Sequence, residues 1–180
     1  YPIFVAATTK QNPVKFAKKI FRVAVFGFST SSSAAALPLN VKTTTEELGV
    51  DEKIASFVLP LGMTINMNGT AIMQVVATLF IAGCAGYDVT LSQLIVIALL
   101  ALIASAGTPA APGAGAIILF TILSGLGYIN DGALLAYSLI LAINRPIEML
   151  VTALNVVGDS ATAIYVAKSE GMLNEDIYNS

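Results

Sequence analysis

Apolar and polar positions divide this chain into long hydrophobic runs punctuated by short polar breaks. No charged residue occurs from Ile54 to Tyr87, and none from Val89 to Asn130. Runs of that length without charge lie in lipid or deep inside a membrane bundle. Residues 1–12 read as a polar cytoplasmic lead-in. Over 13–50 the pattern predicts a helical hairpin: PVKFAKKIFRVAVFGFS, a run of hydroxyls at Thr30–Ser33, and the return arm AAALPLNVKTTTEELGV. Pro38 falls near the start of that arm, where proline is tolerated. The apolar stretches are too short to span about 30 Å of hydrocarbon, which takes about 20 residues, so the hairpin is predicted to be re-entrant.

Segment 51–86 is predicted to be a transmembrane helix broken at TINMNGT, where two Asn, a Gly and two Thr make poor helix interior. Broken backbone at membrane depth is tolerated only where protein or a cavity covers it. Segment 87–129 gives a second re-entrant hairpin. Its apolar arms are LSQLIVIALLALIA and GAIILFTILSGLGYI, and two prolines and several small residues at the tip between them cannot continue a helix. Segment 130–168 reads as one long transmembrane helix kinked at Pro146, and 169–180 as a solvated cytoplasmic tail. The predicted fold is an all-α membrane protein: two re-entrant hairpins, a broken helix and a long helix in an inverted-repeat-like arrangement, as in many secondary transporters.

One polar stripe interrupts the last helix. Glu148, Thr152, Asn155 and Asp159 recur at i, i+4, i+7 and i+11, within roughly 60° of one another at about 100° per residue. Carboxylates inside hydrocarbon are costly and usually face a cavity that handles ions or substrates. The stripe therefore predicts a transport site rather than a structural seam.

Composition narrows the classes further. Hydrophobic residues make up 56% and charged residues 11%, about half the charge of a soluble domain, with a net charge of −2 and a mean hydropathy of +0.81. That balance leaves no footprint for nucleic acid. With no histidine and only Cys84, a His/Cys metal site and an internal disulfide are both excluded. PGAGA lacks the spacing of a dinucleotide loop. If both hairpins return to their own side, Lys10, Lys15, Lys18, Lys19, Arg22, Lys42, Lys53 and Lys168 share one face, cytoplasmic by the positive-inside rule, and Arg145 is intramembrane. The chain starts at Tyr1 without a signal-peptide pattern and reads as a piece of a larger multi-pass protein of the cell membrane.

Four motifs in order, TSSSAAALP, TINMNGT, SAGTPAAPGAGA and NVVGDSATA, resemble the C-terminal half of the glutamate transporter family, the dicarboxylate/amino acid:cation symporters. The resemblance covers roughly residues 13–170. It implies an elevator-type transport domain in which hairpin 2 is the outer gate. It also implies one sodium held by the Asp159 carboxylate with carbonyls of Gly62, Asn66 and Asn155. A second sodium is implied under the gate, among carbonyls of Thr64, Ser105, Ala106 and Thr108. Sodium is a hard cation that takes oxygen ligands, and it is a coupled ion rather than a prosthetic group. The cargo carboxylate would meet Ser32, Ser33 and hairpin-tip amides around Ala111 and Gly115, with Met67, Thr70 and Asn155 in reach. Its ammonium would meet Glu148 and Thr152 on the last helix. Amides at helix starts favour such anions.

Two departures from the family pattern change the expectation. Where the family usually places an arginine for a side-chain carboxylate, this chain has Val151, so a small neutral amino acid is favoured over an acidic amino acid or dicarboxylate. Arg145 lies about 9 Å along the helix axis and roughly 120° around from that position. Glu148 either binds the ammonium or is tied up by Arg145, its i+3 neighbour. Asn68 stands where the family has an aspartate of a third sodium site, so fewer coupled ions are expected. The resemblance also implies a homotrimer through a scaffold domain absent from this segment, which alone is expected neither to assemble nor to transport. A passive anion channel fits the same residues. An intramembrane hydrolase fits poorly, because Glu148 and Asp159 lie roughly 16 Å apart along the helix.

Overall fold

A computed structural model describes all 180 residues as ten α-helices, with one isolated antiparallel bridge between Val50 and Leu173. After α1 (Pro2–Thr9), hairpin 1 is built from α2 (Pro13–Thr30) and α3 (Ser33–Glu46). The Asn12 side chain caps α2 by accepting from the Val14 and Lys15 N–H groups. Ser31, in the left-handed region at φ 50°, ends that helix, and the Ser32 hydroxyl caps the next by accepting from Ala35 N–H.

The broken helix follows as α4 (Glu52–Ile65) and α5 (Asn68–Cys84). Asn66 and Met67 between them leave helical geometry, and no backbone N–H bonds to the carbonyls of Thr64, Ile65 or Asn66. Hairpin 2 comprises α6 (Leu91–Ala106), opened by a Thr90/Gln93 capping box, and α7 (Ala114–Leu126), entered through Gly113 at φ 85°. At about 24 and 20 Å these two helices are shorter than a bilayer's hydrocarbon. The chain closes with α8 (Asp131–Ile143), α9 (Arg145–Ser169) and α10 (Glu175–Asn179). Two segments are long and apolar enough to cross a membrane: Glu52–Cys84, counted across its break, and Arg145–Ser169.

Packing divides the molecule into two apolar cores. One gathers α1 to α4 around the later turns of α9, with Phe16, Leu59 and Ile164 fully buried. The other gathers α5 to α8, centred on Ile81, Leu119 and Leu123. Between helices surrounded by lipid, such packing stabilises through close van der Waals contact rather than through removal of apolar surface from water. The polar stripe of α9 lies where the two cores adjoin. Outside them, α5 to α8 expose rows of large apolar side chains, among them Ile72, Val76, Phe80, Leu99, Ile103 and Leu139. Such a surface suits lipid or further apolar protein.

The structure corrects the sequence reading at four places. The lead-in, read as polar, is largely an apolar helix: Pro2–Thr9 is helical and its Val5 is buried against α9. Pro38 sits at the sixth residue of α3, past the first turn, and the helix continues through it. Segment 130–168 is not one kinked helix. It is interrupted at Asn144, because Pro146 has no N–H for the Ala142 carbonyl and its ring crowds the preceding turn. Each hairpin is thus followed by a broken helix, which makes the two halves more alike than the sequence suggested.

The tail, finally, is exposed along most of its length, as expected, but is anchored at one buried residue. Tyr178 is fully buried and its hydroxyl donates to the Asn12 carbonyl. Lys19 donates to the carbonyls of Glu47, Ile177 and Tyr178, at 2.8, 2.8 and 2.9 Å, and Lys15 to that of Asn179. Lys168 pairs with Glu175. Lys15 and Lys19 satisfy the carbonyls that end α3 and α10.

Candidate functional site

Both hairpin tips, the break between α4 and α5, and the first turns of α9 converge on one polar cleft of about 360 Å³ counted out to its mouth. Its polar lining comes from Ser31 and Ser33 of tip 1, Thr108 of tip 2, Thr70, and Glu148, Thr152 and Asn155 of α9. The apolar remainder includes Met67, Met73, Ala111 and Val151, with Gly115 at the start of α7. Nine of the residues carried over from the family pattern are therefore brought to one place or to its edge.

The tips touch one another. Ser32 donates its hydroxyl to the Ala110 carbonyl at 2.9 Å, and Ala34 N–H donates to the same oxygen at 3.4 Å. Ser32 is thus spent on capping α3 and joining the tips, and does not line the cleft. Ser31, which the sequence reading did not assign, does line it. Its hydroxyl is buried without a hydrogen-bond partner, a costly state for a polar group that a bound polar cargo would relieve. The only signal for it in the sequence is membership in the hydroxyl run.

Glu148 is buried and its carboxylate accepts from the Gly113 N–H of tip 2 at 3.2 Å. Arg145 approaches the same oxygen at 3.5 Å, with half of its own side chain exposed. So exposed a partner, at that distance, is a weak one. Glu148 consequently links α9 to the second hairpin while facing the cleft.

Asn155 holds the broken helix in place. Its Oδ1 accepts from Gly69 N–H at 2.8 Å, and its Nδ2 donates to Thr70 Oγ1 at 3.1 Å and Met67 Sδ at 3.3 Å. A Cβ on Gly69 would lie 2.8 Å from the Val151 carbonyl oxygen and 2.9 Å from Val151 Cβ, so this approach of α5 to α9 requires glycine.

Below the cleft lies Asp159, 2% exposed. One of its oxygens accepts from Asn66 Nδ2 at 2.8 Å, and no basic side chain pairs with it. A Cβ on Gly62 would come within 2.7 Å of that carboxylate. Asn66 Nδ2 also reaches the Asn155 carbonyl at 3.4 Å, while Asn68 donates to Asn66 Oδ1 and to the Tyr1 hydroxyl, at 2.8 and 3.0 Å. Tyr1 was not assigned any role from sequence. Of the carbonyls expected with it, that of Asn66 accepts no backbone N–H, whereas that of Gly62 accepts from Asn66 N–H at 2.7 Å, so the first cation set is only partly free. A buried carboxylate without a basic partner is nonetheless a donor suited to a hard monovalent cation.

The second expected cation set is only partly gathered. Thr108 lines the cleft and Ser105 is buried, but the Ser105 carbonyl already accepts from Thr108 N–H at 3.0 Å. The carbonyls of Ala106 and Thr108 accept no backbone N–H. Thr64 and Ala106 are exposed as residues and do not line the cleft.

Comparison of the sequence with known proteins places the chain in a family. The sodium:dicarboxylate symporter family matches residues 1–169 of the chain. An excitatory amino acid transporter of Caenorhabditis elegans is 36% identical over 163 residues, covering 90% of this chain and 31% of that protein. Human excitatory amino acid transporter 2 is 36% identical over 172 residues, covering 94% of this chain and 29% of the relative. Human excitatory amino acid transporter 5 is 36% identical over 162 residues, covering 90% and 28%. The chain thus spans about a third of the length of the relatives it matches. With motifs, helix order and the match over nearly its whole length in agreement, the chain belongs to the sodium:dicarboxylate symporter family.

Proposed function

We propose that this chain is the transport domain of a sodium-coupled symporter of small neutral amino acids in the cell membrane. The observation that carries the reading is the cleft itself: a buried carboxylate, Glu148, faces hydroxyls and hairpin-tip amides across a wall that ends in Val151. A zwitterion fits that polarity, its ammonium at Glu148 and Thr152 and its carboxylate at Ser31, Ser33 and the tip amides. Valine at the wall offers nothing to a second carboxylate, which would be buried unpaired at a cost of several kcal/mol. This argues against acidic amino acids and dicarboxylates despite the names of the relatives. A symporter leaves its cargo's bonds intact, so the hydrolase reading is set aside.

Coupling is assigned to Asp159 with the Gly62, Asn66 and Asn155 carbonyls, and to a second sodium among Thr64, Ser105, Ala106 and Thr108. Asn68 adds no charge; its amide bridges Asn66 and Tyr1, and the reading includes no third sodium there. Hairpin 2 acts as the outer gate: Gly113 N–H touches cargo-binding Glu148, so closure of the tip and occupancy of the cleft are coupled. The exposed apolar rows on α5 to α8 are taken up by lipid and by the scaffold domain of the parent chain, through which the protein trimerises, and the lysine-rich end faces the cytoplasm.

The test is uptake by the full-length parent in proteoliposomes, with labelled serine, alanine, aspartate and succinate, with and without an inward sodium gradient. Gradient-driven uptake of serine and alanine alone is expected. Uptake of all four down their own gradients, independent of sodium, would favour the passive channel.

A further inference from the structure

An apolar groove runs along the outer face of α5 and the α8–α9 break, lined by Ile72, Val76, Phe80, Ile140 and Ile147. Counted out to its mouth it measures about 860 Å³. Met73 and Val151 are the two residues that line both this groove and the polar cleft. They form a partition one side chain thick. Met73 reaches across to hairpin 2: a Cβ on Gly115 would lie 3.1 Å from Met73 Cε. Val151 is fixed from behind by Gly69, whereas methionine has three rotatable bonds and no such support.

We infer that Met73 is the residue that sets the upper size of the cargo side chain, by closing the cleft off from the apolar groove. The inference rests on the reading of the cleft as an amino-acid site. With ammonium and carboxylate held at Glu148 and the tips, the apolar wall left for the side chain is the one that includes Met73 and Val151. A methyl or hydroxymethyl group stops at the partition. Removing the methionine's last three heavy atoms would join cleft to groove and give a longer apolar side chain a place among Ile72, Val76 and Ile147. The occupant of the groove is then the cargo's own side chain. Met73 differs in this from Glu148 and Thr152, whose polar atoms are assigned to the part common to all amino acids.

The test is sodium-driven uptake in proteoliposomes of the full-length protein, read as the ratio of leucine to alanine uptake. The unaltered protein should prefer alanine. Met73→Ala should raise the ratio at least tenfold, and Val151→Ala should move it the same way, which gives two independent openings if one variant fails to assemble. Adding Ile147→Trp to Met73→Ala should return the ratio toward its original value, because it refills the groove. Alanine uptake with an unchanged ratio in both openings, or an unaltered protein that already takes leucine as well as alanine, would overturn the role of Met73. Absence of sodium-driven uptake of any amino acid by the unaltered protein would instead overturn the transport reading on which it rests.

Discussion

At position 151 a valine stands against Gly69 with no space between the two backbones, and that contact determines more than packing. The Gly69 N–H is held by Asn155, so the first turn of α5 is positioned from α9 through one hydrogen bond and one close approach. Gly69→Ala would push against a backbone carbonyl that cannot turn aside, at a cost of about 1–3 kcal/mol. We expect uptake to fall about tenfold or more by that energy scale. Gly83→Ala in the same helix, with open space where its Cβ would stand, should leave uptake unchanged. Transport assays on the two purified variants, matched for protein amount, check the difference. Asp159 and Glu148 contrast at the same scale. Glu148 has two donors on one oxygen, the Gly113 N–H and a more distant Arg145, whereas Asp159 has one amide donor and no basic partner, so Asp159 is the less engaged of the two carboxylates.

At the scale of elements, the breaks and hairpins were legible because the residues that stop helices are chemically distinct. The Asn and Gly of TINMNGT, the hydroxyl run before Ser33 and the prolines of the second tip each fall at a helix end in the structure. The α8–α9 interruption was less so: a proline signals a kink or a break alike, and at Asn144 the carbonyl still accepts from Glu148 N–H while the residue's own N–H makes no helical bond. The anchoring of the tail was not legible at all. Its anchor is one tyrosine in a polar stretch, and its partners lie some 160 residues earlier, beyond the reach of any local pattern. Ser31 and Ser32 exchanged roles for a similar reason, since a left-handed residue at the first turns the second away from the cleft.

The tail carries its own expectation. Burial of a whole aromatic ring means that Tyr178→Ala should cost about 3–5 kcal/mol locally. Thermal unfolding of the detergent-solubilised parent should begin at a lower temperature in that variant. Ile177→Ala, a partly exposed neighbour, should shift it far less. Equal shifts would mean that the tail does not hold the base of hairpin 1.

Across the whole molecule, two apolar cores enclose opposite halves and the polar cleft lies where they meet, between the two hairpin tips, the α4–α5 break and the first turns of α9. The cleft gathers one set of buried polar groups, Asn40, Thr44 and Ser160 form another between α3 and α9, and the outer surface of α5 to α8 is apolar, as a protein embedded in hydrocarbon requires. The contact between Ser32 and Ala110 joins the two tips beside the cleft. On the proposed function, cargo passes only when one tip withdraws, and the wall at Val151 decides the cargo's chemistry. The most direct test is the uptake of labelled alanine and aspartate by the full-length protein and its Val151→Arg variant under an inward sodium gradient. A guanidinium at that wall can pair with a side-chain carboxylate, an interaction worth about 1.5–3 kcal/mol, so the aspartate-to-alanine ratio should rise roughly tenfold to a hundredfold. An unaltered protein that already carries aspartate in preference to alanine, or a variant whose ratio does not change, would contradict the assignment of this cleft.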